Sequence, residues 1–264
     1  MNDTNTPAWA AFAPEMFSGR TALVTGAAGG MGEQTALAFA SYGAHVVATD
    51  RDTDGLQETL RRCREAGGGR HTAVTADLAA PEGIAEVFAA VDRYGDLDHV
   101  VTCAALITAE SALDIDRAHW QKLFDVNVAG TFFVLQEAYR RMLTRGSGTV
   151  VAVGSDAGKR GGGGLIADAA YAASKASVLS VVKSFAREFA GTGVRVNALT
   201  PGPSDTPLHT GVSQDLKEKI GAGLPIGRMG RADELAAAAL FLSGPGAAFV
   251  YGASFNVDGG SMFE

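Results

Sequence analysis

The chain has 264 residues, 47% of them hydrophobic, and a net charge of −7. That length suits one large α/β domain or two small ones with a sizeable core, and the acidic balance argues against nucleic acid or an anionic membrane as partner. Glycine is abundant, 34 residues against 8 prolines, which points to tight turns and close backbone approaches, and the two cysteines, Cys63 and Cys103, form no C-x-x-C pair. No disulfide framework or metal site is expected, and a reducing, cytoplasmic location is.

Residues 1–17 read as a tail with Trp9, Phe12 and Phe17 as packing anchors, and they lack the basic-then-apolar pattern of a signal peptide. Residues 20–25 form a buried strand that stops at Gly26, and a glycine-rich turn leads into a helix over 33–42. A second strand over 44–49 ends at Asp50, and an amphipathic helix follows over 56–66. Strand three, 71–76, ends at Asp77, then come a helix over 82–94, strand four over 97–102 and a long helical segment over 117–143. Strand five spans 148–154, a helix spans 167–190, strand six spans 194–199, and a helix over 233–242 precedes a last strand over 254–257. The uncharged stretch 235–257 is broken by Gly244-Pro245-Gly246, so neither half can cross a bilayer.

Strands alternate with helices and read as continuous apolar runs. This predicts a single-domain, Rossmann-type α/β fold over 18–264, a doubly wound parallel sheet of about seven strands with helices on both faces. Two features carry chemistry. Tyr171 and Lys175 sit four residues apart in a helical stretch, hence on one face. A cation about 4 Å from a phenol supplies roughly 4 kcal/mol at an effective dielectric of about 20, enough to bring a tyrosine pKa of about 10 toward neutrality. The same spacing also occurs as a half-buried ring beside a solvated lysine. The second feature is Gly26, Gly30 and Gly32 between a strand and a helix, a place where backbone N–H groups bind phosphate. The pattern is neither Gly-x-Gly-x-x-Gly nor a P-loop, and a plain glycine turn is the alternative. Asp50 ends the second strand, 18 residues after Gly32, where an acid would bond ribose hydroxyls and repel a 2′-phosphate. NAD is therefore favoured over NADP, although the adjacent Arg51 could pair with a phosphate.

These pieces resemble the short-chain dehydrogenase/reductase family, and the likeness runs from Gly19 to Gly260. Thr25-Gly26-x-x-x-Gly30-x-Gly32 is similar to the family's cofactor loop, Asp77-Leu78 to its adenine contacts, and Asn127 to its structural and catalytic asparagine. Ser155 resembles its active-site serine and Tyr171-x-x-x-Lys175 its catalytic pair. Asn197 to Gly202, with Thr206, resembles the segment holding the nicotinamide, and Asn256 to Gly260 the terminal strand. Two departures stand out. The turn after strand four is Thr102-Cys103-Ala104-Ala105 rather than an Asn-Asn-Ala-Gly-like run, and the gap from Ser155 to Tyr171 is lengthened at Lys159 to Gly164. Cys103, Ala104 and Ala105 still pass the cofactor by backbone.

The resemblance implies hydride exchange between NAD(H) and a secondary alcohol or ketone, with Tyr171 as acid/base, Lys175 lowering its pKa and binding ribose, Ser155 bonding the substrate oxygen and Asn127 holding a water. It implies pyrophosphate contacts at Thr25, Gly26, Gly30, Met31 and Gly32, adenosine contacts at Asp50, Arg51, Asp77 and Leu78, and nicotinamide contacts at Pro201, Gly202 and Thr206. The substrate pocket is expected at Ile107, Ala157, Leu165, Ile166, Pro203, Ser204 and Leu208, beside Ser155 and Tyr171, under a lid over about 203–225. With no arginine cluster, a neutral substrate is expected. Asp168 reads as a helix cap, and His119 and His209 as non-catalytic. A homotetramer is expected, packed through the Tyr171 helix and the long helix before it. The rival readings are an NADPH-dependent carbonyl reductase and a non-catalytic, dinucleotide-sensing subunit.

Overall fold

Apolar runs that stop at glycine or aspartate fold as the central strands. In the computed structural model, which describes residues 12–67, 69–162, 167–206 and 212–262, the sheet is built from β1 (Thr21–Thr25), β2 (His45–Asp50), β3 (Thr72–Thr75), β4 (His99–Thr102), β5 (Gly148–Val153), β6 (Val194–Pro201) and a last strand, β9 (Ser254–Val257). The order is β3-β2-β1-β4-β5-β6-β9, with every neighbour parallel. A parallel sheet needs both faces covered. Helices α3 (Pro81–Asp92), α5 (Thr131–Arg145) and α7 (Ala169–Glu188) bury Val87, Leu135 and Val182 on one side. Helices α1 (Gly30–Ser41), α2 (Thr53–Ala66) and α9 (Ala232–Ser243) bury Leu37, Leu56 and Leu240 on the other. The expected single doubly wound sheet is what forms.

The winding reverses between β1 and β4, and the carboxyl ends of these two strands open a crevice, the usual ligand position in such sheets. Close approach there demands glycine. A Cβ on Gly26, whose φ is +66°, would lie 2.5 Å from the backbone nitrogen of Ala104 after β4. One on Gly32 would lie 2.0 Å from the Gly26 carbonyl oxygen, so α1 could not pack on the loop.

Three segments differ from expectation. The stretch over 117–143 is not one helix: α4 (Arg117–Phe124) passes into a π-helical turn (Asp125–Gly130) before α5. Hydrophobic periodicity does not register a single extra residue per turn. A short helix, α6 (Ala157–Arg160), begins two residues after Ser155, with Asp156 at its N-cap position. The polar stretch read as a lid contains α8 (Gln214–Ala222), N-capped by Ser213. The two-residue strands β7 (Ser204–Asp205) and β8 (Gly230–Arg231) pair at the base of that excursion. At the N-terminus Phe17 packs on Phe39 at 4.8 Å between ring centroids and Phe12 lies edge-on to Tyr42 at 6.0 Å, while Trp9 lies outside the described residues. Among the described residues no helix is long and apolar enough to cross a membrane.

Candidate active site

A cleft of about 810 Å³ occupies the crevice, within the usual range for small-ligand sites. Its floor is the glycine loop with Gly26, Gly30, Met31 and Gly32, and its far wall carries Asp50, Arg51, Asp77 and Leu78. Cys103, Ala104 and Ala105 after β4, with Thr206, form the opposite side. The N-cap position of α1, Gly29, has no side chain to bond the orphan N–H groups of the first turn, so those donors face the cleft. Asp50 is held in place because Oδ2 accepts from Ala28 N at 3.1 Å and Oδ1 from Asp52 N at 3.1 Å. A Gly-lined helix N-terminus facing an oriented carboxylate suits a dinucleotide: phosphate at one end, ribose hydroxyls at the other. Thr25 lies apart from this lining. It is 1% exposed, and its Oγ1 accepts from Ala104 N at 3.2 Å, tying the β1 and β4 ends together. Ala28, Gly29 and Leu106 also line the cleft, as do Gln121, Lys122 and Asp125 from α4 and the π turn, none of which any sequence motif marked.

A smaller pocket of about 100 Å³ opens from the cleft and shares Met31, Cys103, Ala105 and Thr206 with it. Ser155, Tyr171 and Lys175 meet in its wall, with Pro201 and Gly202 from the end of β6 and with Ile107, Ala157, Pro203 and Ser204. Leu165, Ile166, Leu208 and His209 lie outside the described residues. The pocket also holds Asp156, Arg160, Ala167 and Leu235, which sequence reasoning had not assigned to it. Among the described residues no cluster of His, Cys, Asp or Glu is arranged to hold a metal ion.

Burial dominates the electrostatics here. It pushes the Tyr171 phenol up to about 12; the Ser155 hydrogen bond opposes this, and the Asp156 charge adds to it. Burial draws the Lys175 ammonium down to about 8. Lys175 Nζ donates to the Val153 carbonyl at 2.9 Å and stands 5.8 Å from the Tyr171 ring centroid. The expected lowering of the phenol by Lys175 is not met in this arrangement: desolvation is the largest influence on the phenol, and the ammonium is turned to a backbone oxygen rather than to the tyrosine. The Cys103 thiol is raised by burial to about 12 and stays neutral.

Asn127 is fully buried in the π turn. Its Oδ1 accepts from Leu106 N at 2.7 Å, and its Nδ2 donates to Leu106 O and Ser174 Oγ, both at 2.9 Å. Both amide protons are therefore spent on joining the loop after β4 to the helix bearing Tyr171. Asp168 caps that helix as expected, accepting from Tyr171 N at 2.8 Å. It also faces His119 Nε2 at 3.3 Å, and Thr108 Oγ1 lies 3.0 Å from the same ring nitrogen.

The sequence model of the family described as enoyl-(acyl carrier protein) reductase matches residues 26–262. The chain belongs to the short-chain dehydrogenase/reductase family. A cis-4-hydroxycyclohexanecarboxylate dehydrogenase of Sinomonas cyclohexanicum is 37% identical over 248 residues, covering 93% of this chain and 98% of that enzyme. A sorbitol dehydrogenase of Cereibacter sphaeroides is 33% identical, over 93% of this chain and 98% of its own. Among solved structures, a gluconate 5-dehydrogenase candidate from Beutenbergia cavernae, crystallised with NADP at low occupancy, superposes with a TM-score of 0.86 at 35% identity, covering 94% and 98% of the two chains. Family membership makes this chain an oxidoreductase that acts on alcohol CH–OH groups and ketones with a nicotinamide dinucleotide and a small-molecule substrate.

Proposed function

We propose that this chain interconverts a secondary alcohol and a ketone with NAD(H), using Tyr171 as general acid/base. The observation that carries the reading is the meeting of Ser155, Tyr171 and Lys175 in one buried pocket that opens onto the dinucleotide cleft. When bound, the nicotinamide accepts or supplies the hydride. In oxidation Tyr171 Oη takes the carbinol proton, and in reduction it returns one. Ser155 Oγ bonds the substrate oxygen and fixes its distance from the phenol. Lys175 supplies the positive charge that makes phenolate accessible, and in this role its ammonium leaves the Val153 carbonyl for the ribose. Asn127 acts by position, since its side-chain amide is already committed.

Thr25, Gly26, Gly30, Met31 and Gly32 serve the pyrophosphate side, Thr25 indirectly through the turn at Ala104. Asp50, Asp77 and Leu78 take the adenosine, and Pro201, Gly202 and Thr206 the nicotinamide. Ile107, Ala157, Pro203 and Ser204 line the substrate side. The expected lid over 203–225 would close over it; residues 207–211 lie outside the described residues, and the described part carries α8 between the paired strands β7 and β8. The oriented Asp50 carboxylate supports NAD. The NADP in the Beutenbergia cavernae structure favours a second reading, an NADPH-dependent reductase in which Arg51 meets the 2′-phosphate.

The test is a screen of secondary alcohols with NAD, followed by NADH absorbance, in the wild type and in Tyr171→Phe. Removing the acid/base should lower turnover by about 10²- to 10⁴-fold while NADH still binds by fluorescence titration. A fully active Tyr171→Phe would falsify the mechanism.

A further inference from the structure

Asp156 follows Ser155 directly and is 4% exposed, an unusual place for a carboxylate. Its charge raises the Tyr171 phenol, so for acid/base chemistry alone it works in the wrong direction. All its contacts run toward neighbouring groups. Oδ2 accepts from Arg160 Nε at 2.9 Å and from Ser261 Oγ at 2.9 Å, and Oδ1 accepts from Ser155 Oγ at 3.3 Å. The Arg160 side chain lines the same pocket as Ser155 and Tyr171 and keeps 43% of its surface exposed. Among the described residues its two Nη atoms have no partner.

We propose that Arg160 is a carboxylate-binding residue of the substrate pocket, and that the substrate is a hydroxy acid or the matching keto acid, its carboxylate set apart from the reacting carbinol carbon. The inference rests on the alcohol–ketone reading above and names the substrate class of that same site. The geometry is that of a preorganised receptor. A guanidinium offers five N–H donors in a rigid fork. Asp156 holds the Nε of that fork and leaves both Nη groups of a pocket-lining residue without a partner among the described residues, and those two groups can grip a carboxylate by two parallel bonds. Anchoring the side chain beforehand reduces the ordering cost on binding. The Asp156 charge is partly offset by its pairing with Arg160, and Lys175 places a second basic side chain in the same wall. An ion pair serving only to close the end of α6 could lie on the outer surface, where such pairs contribute little. Placing its acid in the active site, against the phenol's ionisation, is accounted for when the arginine is needed there. The expectation of a neutral substrate is revised accordingly. It rested on the lack of an arginine cluster, and one anchored arginine is enough for a carboxylate.

The test uses matched pairs of hydroxy acids and their primary carboxamides, acyclic and on a cyclohexane ring, with NAD and NADP. In the wild type the acid should exceed its amide in kcat/KM by about 10- to 100-fold, the range of charge-assisted hydrogen bonds. That ratio should collapse toward one in Arg160→Gln and recover in part in Arg160→Lys. Calorimetry with cyclohexanecarboxylate on the NADH-loaded protein gives a readout free of turnover. Binding should weaken by a similar factor in Arg160→Gln, with thermal melts reporting that both variants fold. An amide used as well as its acid, an acid preference that survives Arg160→Gln, or cyclohexanecarboxylate binding indifferent to Arg160 would each overturn the proposal. Turnover of neutral alcohols alone defeats this inference and leaves the alcohol–ketone reading standing. Arg160-dependent carboxylate binding with no turnover of any alcohol does the reverse.

Discussion

Replacing Lys175 with methionine removes a buried cation and keeps most of the side-chain volume. The residue is 3% exposed and its Nζ lies 5.8 Å from the Tyr171 ring centroid, a distance taken as the charge separation once the ammonium leaves the Val153 carbonyl in the proposed cofactor-bound arrangement. At that separation and an effective dielectric of about 20, the attraction between ammonium and phenolate is about 3 kcal/mol, or ~2 pH units. Alcohol oxidation needs the phenolate, so kcat/KM rises with pH through the tyrosine's pKa. Removing the cation raises that pKa and moves the rising limb to higher pH by up to ~2 units, the full effect applying below about 8, where Lys175 is itself charged. Below both pKa values, each unit lowers the phenolate fraction tenfold, so at neutral pH the variant should lose about 100-fold. The assay is kcat/KM for the alcohol at saturating NAD from pH 6 to 11, which separates this effect from weaker cofactor binding. Lys175→Arg, which keeps the charge, should leave the limb closer to its wild-type position. If Lys175→Met lowers the rate while the limb stays put, the lysine acts through orientation rather than charge, and the electrostatic argument fails.

Asp50→Ala should narrow a preference for NADH over NADPH that is tenfold or more in the wild type, read by fluorescence titration of both cofactors; tighter NADPH in the wild type would reverse the cofactor assignment. Asp168→Ala should cost about 2–3 kcal/mol through the lost cap and the stranded donors, which lowers Tm by roughly 4–12 °C in a chain of this size. Burial opposes ionisation of Asp168, but hydrogen bonds from Thr108, the backbone of Tyr171 and Glu110, and His119 hold its carboxyl below the usual range. Its contribution to stability is therefore present above the unfolded value of about 4 and is lost as pH falls through the lowered folded one. Acid melts of Asp168→Asn should lack that component. Multi-angle light scattering should give a homotetramer, and a monomer would count against packing through α4, α5 and α7.

Legibility in the sequence followed physical locality. Strands such as Thr21–Thr25 and Gly148–Val153 are buried on both faces, so their residues are apolar in unbroken runs that end where the chain must turn. Tyr171, Lys175 and Asp168 were legible because the groups that make them useful lie within one or two turns of one helix. What escaped notice needed a contact across the fold. The π turn at Asp125–Gly130 is justified by Asn127 reaching Leu106 and Ser174, 21 and 47 residues away. Cleft residues such as Gln121 and Lys122 have no local signature, since only the tertiary path of α4 brings them to the dinucleotide crevice. The alanines near Tyr171 look alike in sequence, yet Ala170 and Ala172 are buried inside the protomer, Ala173 is half-buried and Ala169 and Ala176 are exposed.

The lengthened stretch before Tyr171 shows how the two kinds of information combine. In sequence it is a glycine-rich interruption between Ser155 and Tyr171, and glycine carries no direction. In the fold its first residues close into α6, because Asp156 and Arg160 stand one turn apart and pair. That turn aims a cation into a pocket whose chemistry is otherwise set by Ser155 and Tyr171. The same Asp156 that aims the cation also raises the phenol, so specificity and acid/base strength are coupled through one carboxylate. Asp156→Asn separates them. Removing the charge should shift the oxidation limb toward lower pH, because the phenolate loses a like-charged neighbour, while the acid-over-amide ratio falls as Arg160 loses its anchor. A limb moved to lower pH together with a reduced ratio is the signature of that coupling. If both stay at wild-type values, Asp156 is only a buried partner for Ser261 and Arg160, and the pocket's selectivity lies elsewhere.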